Sequence, residues 1–288
     1  MTAEMTVETL LTRGRRLLVA ADRDTGVAGR APGLEAELLL AHVLGASRAR
    51  LKSHPESPVE EARASRYLDL IGRRVTGEPL AYITGQREFW SLELAVTPAV
   101  LIPRPETELL VERALAVAPA QPLRVADLGT GSGAVALALA RERPIWQIVA
   151  TDVSAPALAV ARANAAALGL SHVEFLAGSW FEPLGQARFD LIVSNPPYVA
   201  ADDPALSGPA LAFEPALALT PPGGDALASL RVLARGAPAH LAPGGWLLLE
   251  HGATQGRAVR DELVAAGFAH VRSHRDLAGH ERMTEGQR

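Results

Sequence analysis

An apolar segment runs directly into a glycine-rich turn near the middle of the chain. Residues 123–128 have the composition of a buried strand, and Gly129, Gly131 and Gly133 follow it before an alanine-rich helical pattern. Glycine is needed where a backbone turns sharply and lets a ligand approach closely. A strand, a glycine loop and a helix in this order predict the first unit of an α/β sheet, with a ligand bound at the loop.

Strand-length apolar segments alternate with helical patterns from about residue 105 onward. Such alternation is typical of a mainly parallel sheet covered by helices on both faces, so the predicted fold class is α/β. The predicted strands are residues 123–128, 146–151, 172–177, 189–194 and 245–250.

The N-terminal part of the chain, residues 1–76, carries helical patterns and no catalytic motif. Residues 34–44 predict a short amphipathic helix, and residues 57–60 (Ser-Pro-Val-Glu) have the pattern of a capping box at the start of another. Gly77 is expected to end that second helix. The region is interpreted either as a plain helical bundle or as a module that binds a macromolecular substrate, and the sequence leaves both interpretations open.

A hairpin is predicted between the two parts of the chain, from the apolar segments at residues 80–83 and 89–96 with Gly85 between them. The sequence therefore predicts three regions. They are a helical substrate-recognition domain (residues 1–76), a β-hairpin linker (residues 77–104) and a ligand-binding α/β domain (residues 105–288).

Composition excludes several classes of protein. The chain has 288 residues and no cysteine, so it has no disulfide and no thiolate metal site. Its eight histidines show no metal-ligand spacing, and no metal site is predicted. No apolar run approaches the ~20 residues of a membrane span, and the first residues lack a signal pattern, so we expect a cytoplasmic protein without membrane contact. The net charge of −4, and an N-terminal region interpreted as acidic, argue against direct nucleic-acid binding.

Residues downstream of the glycine loop limit which ligand the loop can bind. The loop alone fits the dinucleotide fingerprint only loosely. Asp152 ends the next predicted strand, where a carboxylate accepts hydrogen bonds from ribose hydroxyls, although it could also cap the helix that begins near Ser154. Trp180 follows the third strand and could lie beside adenine or simply pack in the core. Both NAD and S-adenosylmethionine carry a ribose and an adenine, but S-adenosylmethionine has no pyrophosphate. A second, stronger motif at residues 195–198 is typical of methyltransferases and decides against NAD, so S-adenosylmethionine is the predicted cofactor.

The chemical site is predicted at residues 195–198, which we call the Asn-Pro-Pro-Tyr motif. It follows an apolar strand at the carboxyl end of the sheet, where α/β proteins bind ligands, although Asn-Pro-Pro also suits a plain turn. An amide nitrogen is a poor nucleophile, and methyl transfer requires its lone pair to be aimed. The Asn195 side-chain oxygen and the rigidly held Pro196 carbonyl could accept its two N–H groups, with Tyr198 as a flat wall.

Several segments of the chain resemble the bacterial peptide chain release factor glutamine N5-methyltransferases. The resemblance runs from the N-terminal helices to about residue 285. Beyond the two motifs above, its residues are Gly77-Glu78-Pro79, Arg87-Glu88-Phe89-Trp90, residues 101–108 (Leu-Ile-Pro-Arg-Pro-Glu-Thr-Glu), Phe213-Glu214-Pro215 and Leu249-Glu250-His251-Gly252.

This resemblance implies a Rossmann-like S-adenosylmethionine-dependent methyltransferase fold with a small N-terminal helical domain. It implies methylation of the glutamine in the Gly-Gly-Gln motif of class-one release factors, which are the implied protein partners in translation termination. Residues 282–288 depart from the family's pattern and leave the pairing of the last strand open. The implied cofactor-binding residues are Gly129, Thr130, Gly131, Ser132, Gly133, Asp152, Trp180 and Asn195. The implied substrate-binding residues are Asn195, Pro196, Pro197, Tyr198 and Phe89, of which Asn195, Pro196 and Tyr198 are also the catalytic candidates.

Two other functions remain open from the sequence. The Asn-Pro-Pro-Tyr motif is shared with adenine-N6 DNA or RNA methyltransferases, which would be expected to show a basic groove and a target-reading domain. A cofactor-binding regulator without catalysis would be expected to lack Asn195 or Tyr198, and both are present.

Overall fold

The computed structural model describes residues 5–25, 31–208 and 211–288. The chain divides into two compact units, with the boundary between Gly85 and Gln86. None of the helices in the described residues is both long enough and apolar enough to cross a membrane. Each unit has its own hydrophobic core.

The first unit is helical in its described residues. Its core is formed by fully buried side chains such as Leu18, Leu39, Tyr67 and Ile71. The Arg74 guanidinium binds both carboxylate oxygens of Glu35, at 2.9 and 3.0 Å, and so joins two of the helices. The helices are α1 (Val7–Thr25), α2 (Pro32–Leu44), α3 (Arg48–Ser53), α4 (Glu61–Val75) and α5 (Leu80–Thr84).

Three details of this unit differ from the sequence predictions. Residues 57–60 do not form a capping box: α4 begins at Glu61 and has no side-chain cap. The preceding residues are instead extended, because Val59 N–H donates to the Met5 carbonyl at 2.7 Å and Val7 N–H donates to the Ser57 carbonyl at 3.1 Å. The segment expected to start the hairpin is α5, a helix. Residues 1–76 are also not acidic, since they hold 12 Lys and Arg against 10 Asp and Glu.

The second unit opens with the two-stranded hairpin, β1 (Gln86–Phe89) and β2 (Leu92–Ala95). Trp90 and Ser91 form its turn with φ of 51° and 57°, a left-handed conformation that non-glycine residues rarely adopt. Two carboxylates hold this turn: Glu108 accepts from Trp90 N–H at 3.0 Å, and Glu88 accepts from Ser91 N–H at 2.6 Å.

A seven-stranded sheet follows, with the strand order β5-β4-β3-β6-β7-β9-β8. Its strands are β3 (Arg124–Leu128), β4 (Gln147–Asp152), β5 (Glu174–Ala177), β6 (Phe189–Ser194), β7 (Leu241–Glu250), β8 (Ala269–Arg275) and β9 (Glu281–Gln287). The helices are α6 (Glu108–Val117), α7 (Ala134–Glu142), α8 (Ala155–Ala167), α9 (Ala216–Leu219), α10 (Ala228–His240) and α11 (Gly256–Ala265). The first five strands are parallel, which confirms the α/β fold class, while β9 pairs antiparallel with both β7 and β8.

The strand order reverses direction between β3 and β6. From β3 the chain adds β4 and β5 on one side, and then returns to add β6 and β7 on the other. The carboxyl ends of β3 and β6 are therefore neighbours at a topological switch point, which is where open α/β sheets bind ligands. The glycine-rich loop follows β3 and the Asn-Pro-Pro-Tyr motif follows β6, so the topology brings the two predicted motifs together.

Candidate active site

A cavity of about 290 Å³ lies at the switch point. Its lining combines the first four residues of the glycine-rich loop (residues 129–133), the end of β4, the segment after β5 and the start of the Asn-Pro-Pro-Tyr motif. Residues 99–107 and the region around α9 complete the wall. The predicted site residues in the lining are Gly129, Thr130, Gly131, Ser132, Asp152, Trp180, Asn195 and Pro197.

Buried Asp127 shapes the glycine-rich loop. Its Oδ2 accepts hydrogen bonds from the Thr130 hydroxyl at 2.7 Å and from Ala136 N–H at 3.2 Å, which fastens the loop to the first turn of α7. Burial raises the pKa of Asp127 to about 6, against the lowering effect of these two hydrogen bonds. Gly133 is not in the lining, and it has a packing role: a Cβ there would lie 3.1 Å from the Leu137 side chain.

Asp152 ends β4 at the rim of the cavity. Its Oδ2 accepts from Gly131 N–H at 2.9 Å, and its Oδ1 accepts from Ser154 N–H at 2.8 Å. The Ser154 side chain itself caps α8 by accepting from Ala157 N–H at 3.2 Å. Asp152 therefore supports the glycine-rich loop and the start of α8 at once, and each carboxylate oxygen retains lone pairs for a ligand hydroxyl.

Trp180 both lines the cavity and packs against the core. Its backbone is left-handed, with φ of 47°, and its carbonyl accepts from the Thr151 hydroxyl at 3.2 Å. A Cβ at Gly129 would come within 3.3 Å of the Trp180 ring. The indole and the glycine-rich loop are thus in close contact, and the absence of a side chain at residue 129 makes room for the ring.

The Asn-Pro-Pro-Tyr motif turns away from the end of β6. Asn195 and Pro197 line the cavity, Pro196 is buried and Tyr198 is half-buried. The Asn195 side-chain amide donates through Nδ2 to the Thr107 hydroxyl at 3.2 Å. The Tyr198 hydroxyl donates to Glu250 Oε1 at 3.1 Å. The Tyr198 carbonyl accepts from Gln255 Nε2 at 2.9 Å, so both the side chain and the main chain of Tyr198 are held by hydrogen bonds.

Phe89 lies elsewhere. Its side chain is 1% exposed and packs in the core with Leu92 and Leu94, and it is not in the cavity lining. The alternating pattern of the hairpin explains this, since residues on one face of β1 and β2 point into the core while their neighbours are exposed. The expected place of Phe89 beside the substrate is therefore not what the structure shows.

Comparison with known proteins identifies both units. A family model described as the PrmC N-terminal domain matches residues 9–85, and one described as the methyltransferase small domain matches residues 105–225. The release factor glutamine methyltransferase of Xylella fastidiosa (strain Temecula1 / ATCC 700964) is 53% identical over 255 residues, which cover 88% of this chain and 92% of the relative. That of Bordetella pertussis (strain Tohama I) is 52% identical over 261 residues, covering 88% and 94%.

The chain belongs to the release factor glutamine methyltransferase family. It is thus an S-adenosylmethionine-dependent methyltransferase. A solved methyltransferase from Pyrococcus furiosus shares the fold, with a TM-score of 0.53 at 18% identity over 79% of this chain and 98% of that one. The names of the relatives favour the glutamine methyltransferase prediction over the adenine-N6 alternative.

The cavity of this family member fits S-adenosylmethionine in its chemistry. It offers a glycine-rich loop whose backbone lines the cavity, a carboxylate at Asp152 and an aromatic ring at Trp180, in mostly apolar surroundings. Exposed Val153 adds an apolar side chain beside Asp152. Among the described residues no cluster of His, Asp or Glu has the arrangement of a metal site.

The sequence predicted no role for two residues beside the Asn-Pro-Pro-Tyr motif, although both lie in segments that resemble the family. Thr107 ends a short 3₁₀ helix (Pro105–Thr107) and lines the cavity next to Asn195. Glu250 ends β7, is 2% exposed, and has its pKa raised to about 7 by burial. A carboxylate closing an otherwise apolar strand beside β6 was the signal that could have pointed to Glu250.

A third residue, Glu214, holds two parts of the cavity wall. Its buried carboxylate accepts from Ile102 N–H at 3.1 Å through Oε2 and pairs with the Arg104 guanidinium through Oε1. Pro215 follows directly and lines the cavity, as does Arg104. Glu214 therefore links the segment after the hairpin to the segment before α9.

Proposed function

We propose that this chain transfers a methyl group from S-adenosylmethionine to the side-chain nitrogen of the glutamine in the Gly-Gly-Gln motif of class-one release factors. The observation that carries this proposal is the place of Asn195. It lines the same cavity as the glycine-rich loop and Asp152, at the carboxyl end of the neighbouring strand β6. The family names of the relatives supply the substrate class.

For cofactor binding, we assign the backbone of the glycine-rich loop, Asp152 and Trp180. Asp152 would accept hydrogen bonds from ribose hydroxyls, and the Trp180 ring would lie beside the adenine. When bound, S-adenosylmethionine supplies a methyl group on a sulfonium sulfur that departs as a neutral thioether. The mostly apolar walls of the cavity would keep water away from that methyl group, and Asn195 would lie in the wall of the same cavity.

For substrate binding, we assign an amide clamp made of the Asn195 side-chain oxygen and the Pro196 carbonyl. These two acceptors would each take one N–H of the substrate amide, which aims the nitrogen lone pair. Tyr198 and Pro197 would form the wall beside the amide plane. The new N–C bond acidifies the nitrogen, so its proton leaves without a strong base, and orientation supplies most of the rate.

We assign the N-terminal helical unit to recognition of the release factor. Every residue of the proposed cofactor and amide sites lies after Gly85. A protein substrate needs contact surface beyond one glutamine, and the family model for this unit is specific to the N-terminal domain of such enzymes.

Transfer of labelled methyl from S-adenosylmethionine to purified release factor tests the function. We expect stoichiometric labelling of the wild-type factor and none of a factor whose Gly-Gly-Gln glutamine is changed to alanine. Equal labelling of both factors would contradict the assigned substrate atom, and labelling of adenine in DNA or RNA instead would favour the alternative function.

A further inference from the structure

A buried amide joins the hairpin to the glycine-rich loop. Asn164 lies on α8, is 2% exposed and is not in the cavity lining. Its Oδ1 accepts from Ala95 N–H at 2.8 Å, and its Nδ2 donates to the Ala95 carbonyl at 3.0 Å. The same Nδ2 donates to the Ser132 carbonyl at 2.9 Å. One side chain therefore bonds to the main chain of β2 and to the main chain of the loop.

The partners of Asn164 leave its amide only one orientation. A main-chain carbonyl only accepts hydrogen bonds, and a main-chain N–H only donates them. The two carbonyls therefore take both hydrogens of Nδ2, and Ala95 N–H requires the amide oxygen. A reversed amide would place its oxygen against two carbonyl oxygens and lose all three hydrogen bonds. Asn164 thus fixes the Ser132 carbonyl relative to β2.

The Ser132 carbonyl belongs to a peptide unit that is held on both sides. The N–H of that unit is Gly133 N–H, which donates to the Thr130 carbonyl at 2.9 Å. Ser132 lines the cavity and Gly133 has a φ of 85°, so a rotation of this peptide unit would change the cavity wall. Two side chains from outside the loop therefore hold its conformation, Asp152 at the rim of the cavity and Asn164 on α8.

The face of α8 that carries Asn164 lies along the glycine-rich loop. Ala157 lines the cavity, and a Cβ at Gly133 would lie 3.3 Å from the Ala161 Cβ. Ala157, Ala161 and Asn164 follow one another at spacings of four and three residues, which place them on one face of the helix. The two alanines contact the site by packing, and Asn164 is the polar residue of this face that binds the loop.

We propose that Asn164 is a positioning residue that couples the hairpin to cofactor binding through the Ser132 carbonyl. The proposal rests on the assignment of the glycine-rich loop to S-adenosylmethionine in the proposed function. Asn164 acts through the loop, because its own side chain lies outside the cavity lining. Coupling between two sites is reciprocal, so a cofactor that orders the loop also orders β2.

The first test compares Asn164→Asp and Asn164→Leu with Thr284→Val in the full chain. An ionised aspartate keeps an acceptor for Ala95 N–H and loses both hydrogen bonds to the carbonyls, while leucine is uncharged and loses all three. Thr284→Val is the matched control, because it also removes two buried hydrogen bonds. The Thr284 hydroxyl is buried outside the cavity lining and bonds to His251 and Ser273 at 2.8 and 2.7 Å.

Calorimetry with S-adenosylmethionine and thermal unfolding are measured on the same preparations. We expect both Asn164 variants to raise the Kd of the cofactor by about 5–50-fold. Their turnover at saturating cofactor should stay within about threefold of wild type, because the amide clamp is unchanged. Thr284→Val should unfold at a lower temperature and keep the wild-type Kd. A wild-type Kd in a folded Asn164 variant, or an equal loss of affinity in Thr284→Val, would overturn the proposal.

Hydrogen exchange in the wild-type chain tests the coupling without a substitution. Ala95 N–H is the amide that bonds to Asn164, and β2 lies outside the cavity lining. We expect S-adenosylhomocysteine, the product of methyl transfer, to slow exchange in β2 as well as in residues 129–133. Slower exchange in the loop with unchanged exchange in β2 would overturn the coupling. Unchanged exchange in both segments, with the ligand bound, would instead refute the assignment of the loop to the cofactor.

Discussion

Replacing Asp152 with alanine removes a carboxylate that serves the glycine-rich loop, the start of α8 and, in our proposal, the cofactor ribose. Gly131 N–H and Ser154 N–H, at 2.9 and 2.8 Å, lose their acceptor. Both groups are partly exposed and water can replace the carboxylate. We therefore expect a loss of about 0.5–1.5 kcal/mol in unfolding free energy for each, or about 1–3 kcal/mol in all.

The loss in cofactor affinity is a separate quantity. Hydrogen bonds from ribose hydroxyls to an ionised carboxylate contribute about 1.5–3 kcal/mol, which corresponds to roughly 10–150-fold in Kd. Asp152→Asn serves as the matched control, because it keeps one acceptor oxygen for the backbone and loses the charge. It should lose less stability than the alanine variant and still bind the cofactor more weakly than wild type.

Isothermal titration calorimetry with S-adenosylmethionine and thermal unfolding on the same preparations separate the two effects. We expect both variants to bind more weakly, with the larger loss of thermal stability in Asp152→Ala. If Asp152→Ala unfolds at a lower temperature but binds the cofactor with wild-type affinity, Asp152 is a structural residue only and its assignment to the ribose is wrong.

Three further outcomes follow from the structure. Gly129→Ala combines a φ of 78° with a Cβ 3.3 Å from the Trp180 ring, so we expect a loss of about 1–2 kcal/mol in unfolding free energy and weaker cofactor binding. Wild-type cofactor affinity by calorimetry would contradict a role in cofactor binding for the contact between residue 129 and Trp180. Deleting residues 1–85 should leave cofactor affinity intact and strongly reduce methylation of intact release factor; a folded truncated enzyme that methylates at the wild-type rate would remove the recognition role of the first unit. Burial raises the pKa of Glu285, but hydrogen bonds from Arg272 and Arg113 lower it more, so the net shift is downward. The ionised form of Glu285 therefore stabilises the fold at any pH above the ordinary carboxylate pKa. This contribution is lost as the pH falls through the lowered pKa. Glu285→Gln should therefore lower the unfolding free energy by about 2–3 kcal/mol at pH 7, with a smaller difference in acid; equal stabilities at pH 7 would show that these ion pairs contribute nothing.

The periodicity of the sequence was sufficient for the five parallel strands of the sheet, but it did not predict β8 and β9. Residues 189–194 were predicted as a strand from their apolar run, and β6 has the same bounds. A buried strand needs little beyond such a run, because packing on both faces selects apolar side chains at every position. The glycine-rich loop and the Asn-Pro-Pro-Tyr motif could also be predicted from the sequence, because each directly follows a buried apolar strand.

Local patterns failed where a distant partner decides the conformation. Residues 57–60 have a good capping signature, but the main chain of residues 5–7 pairs with them and keeps them extended. The apolar residues of α5 have no period that separates a helix from a strand over five positions, and its burial against neighbouring helices is invisible in the sequence.

The parts of the site that depend on tertiary contact were also beyond the sequence. Thr107 contacts Asn195 across 88 positions of sequence and Glu250 contacts Tyr198 across 52, because the 3₁₀ helix and β7 both end beside the Asn-Pro-Pro-Tyr motif. Phe89 illustrates the same limit, because a residue can lie in a recognisable motif and still point into the core.

Turnover of Asn195→Ala, measured with cofactor affinity and thermal stability on one preparation, tests the amide clamp most directly. The clamp predicts a loss of about 100-fold in turnover with cofactor affinity nearly unchanged, because the glycine-rich loop, Asp152 and Trp180 remain in place. Asn195→Asp should lose activity as well, since it adds a negative charge beside the cofactor site. A less stable Asn195→Ala enzyme with near-normal turnover per folded molecule would show that Asn195 only ends a strand, and would contradict the clamp.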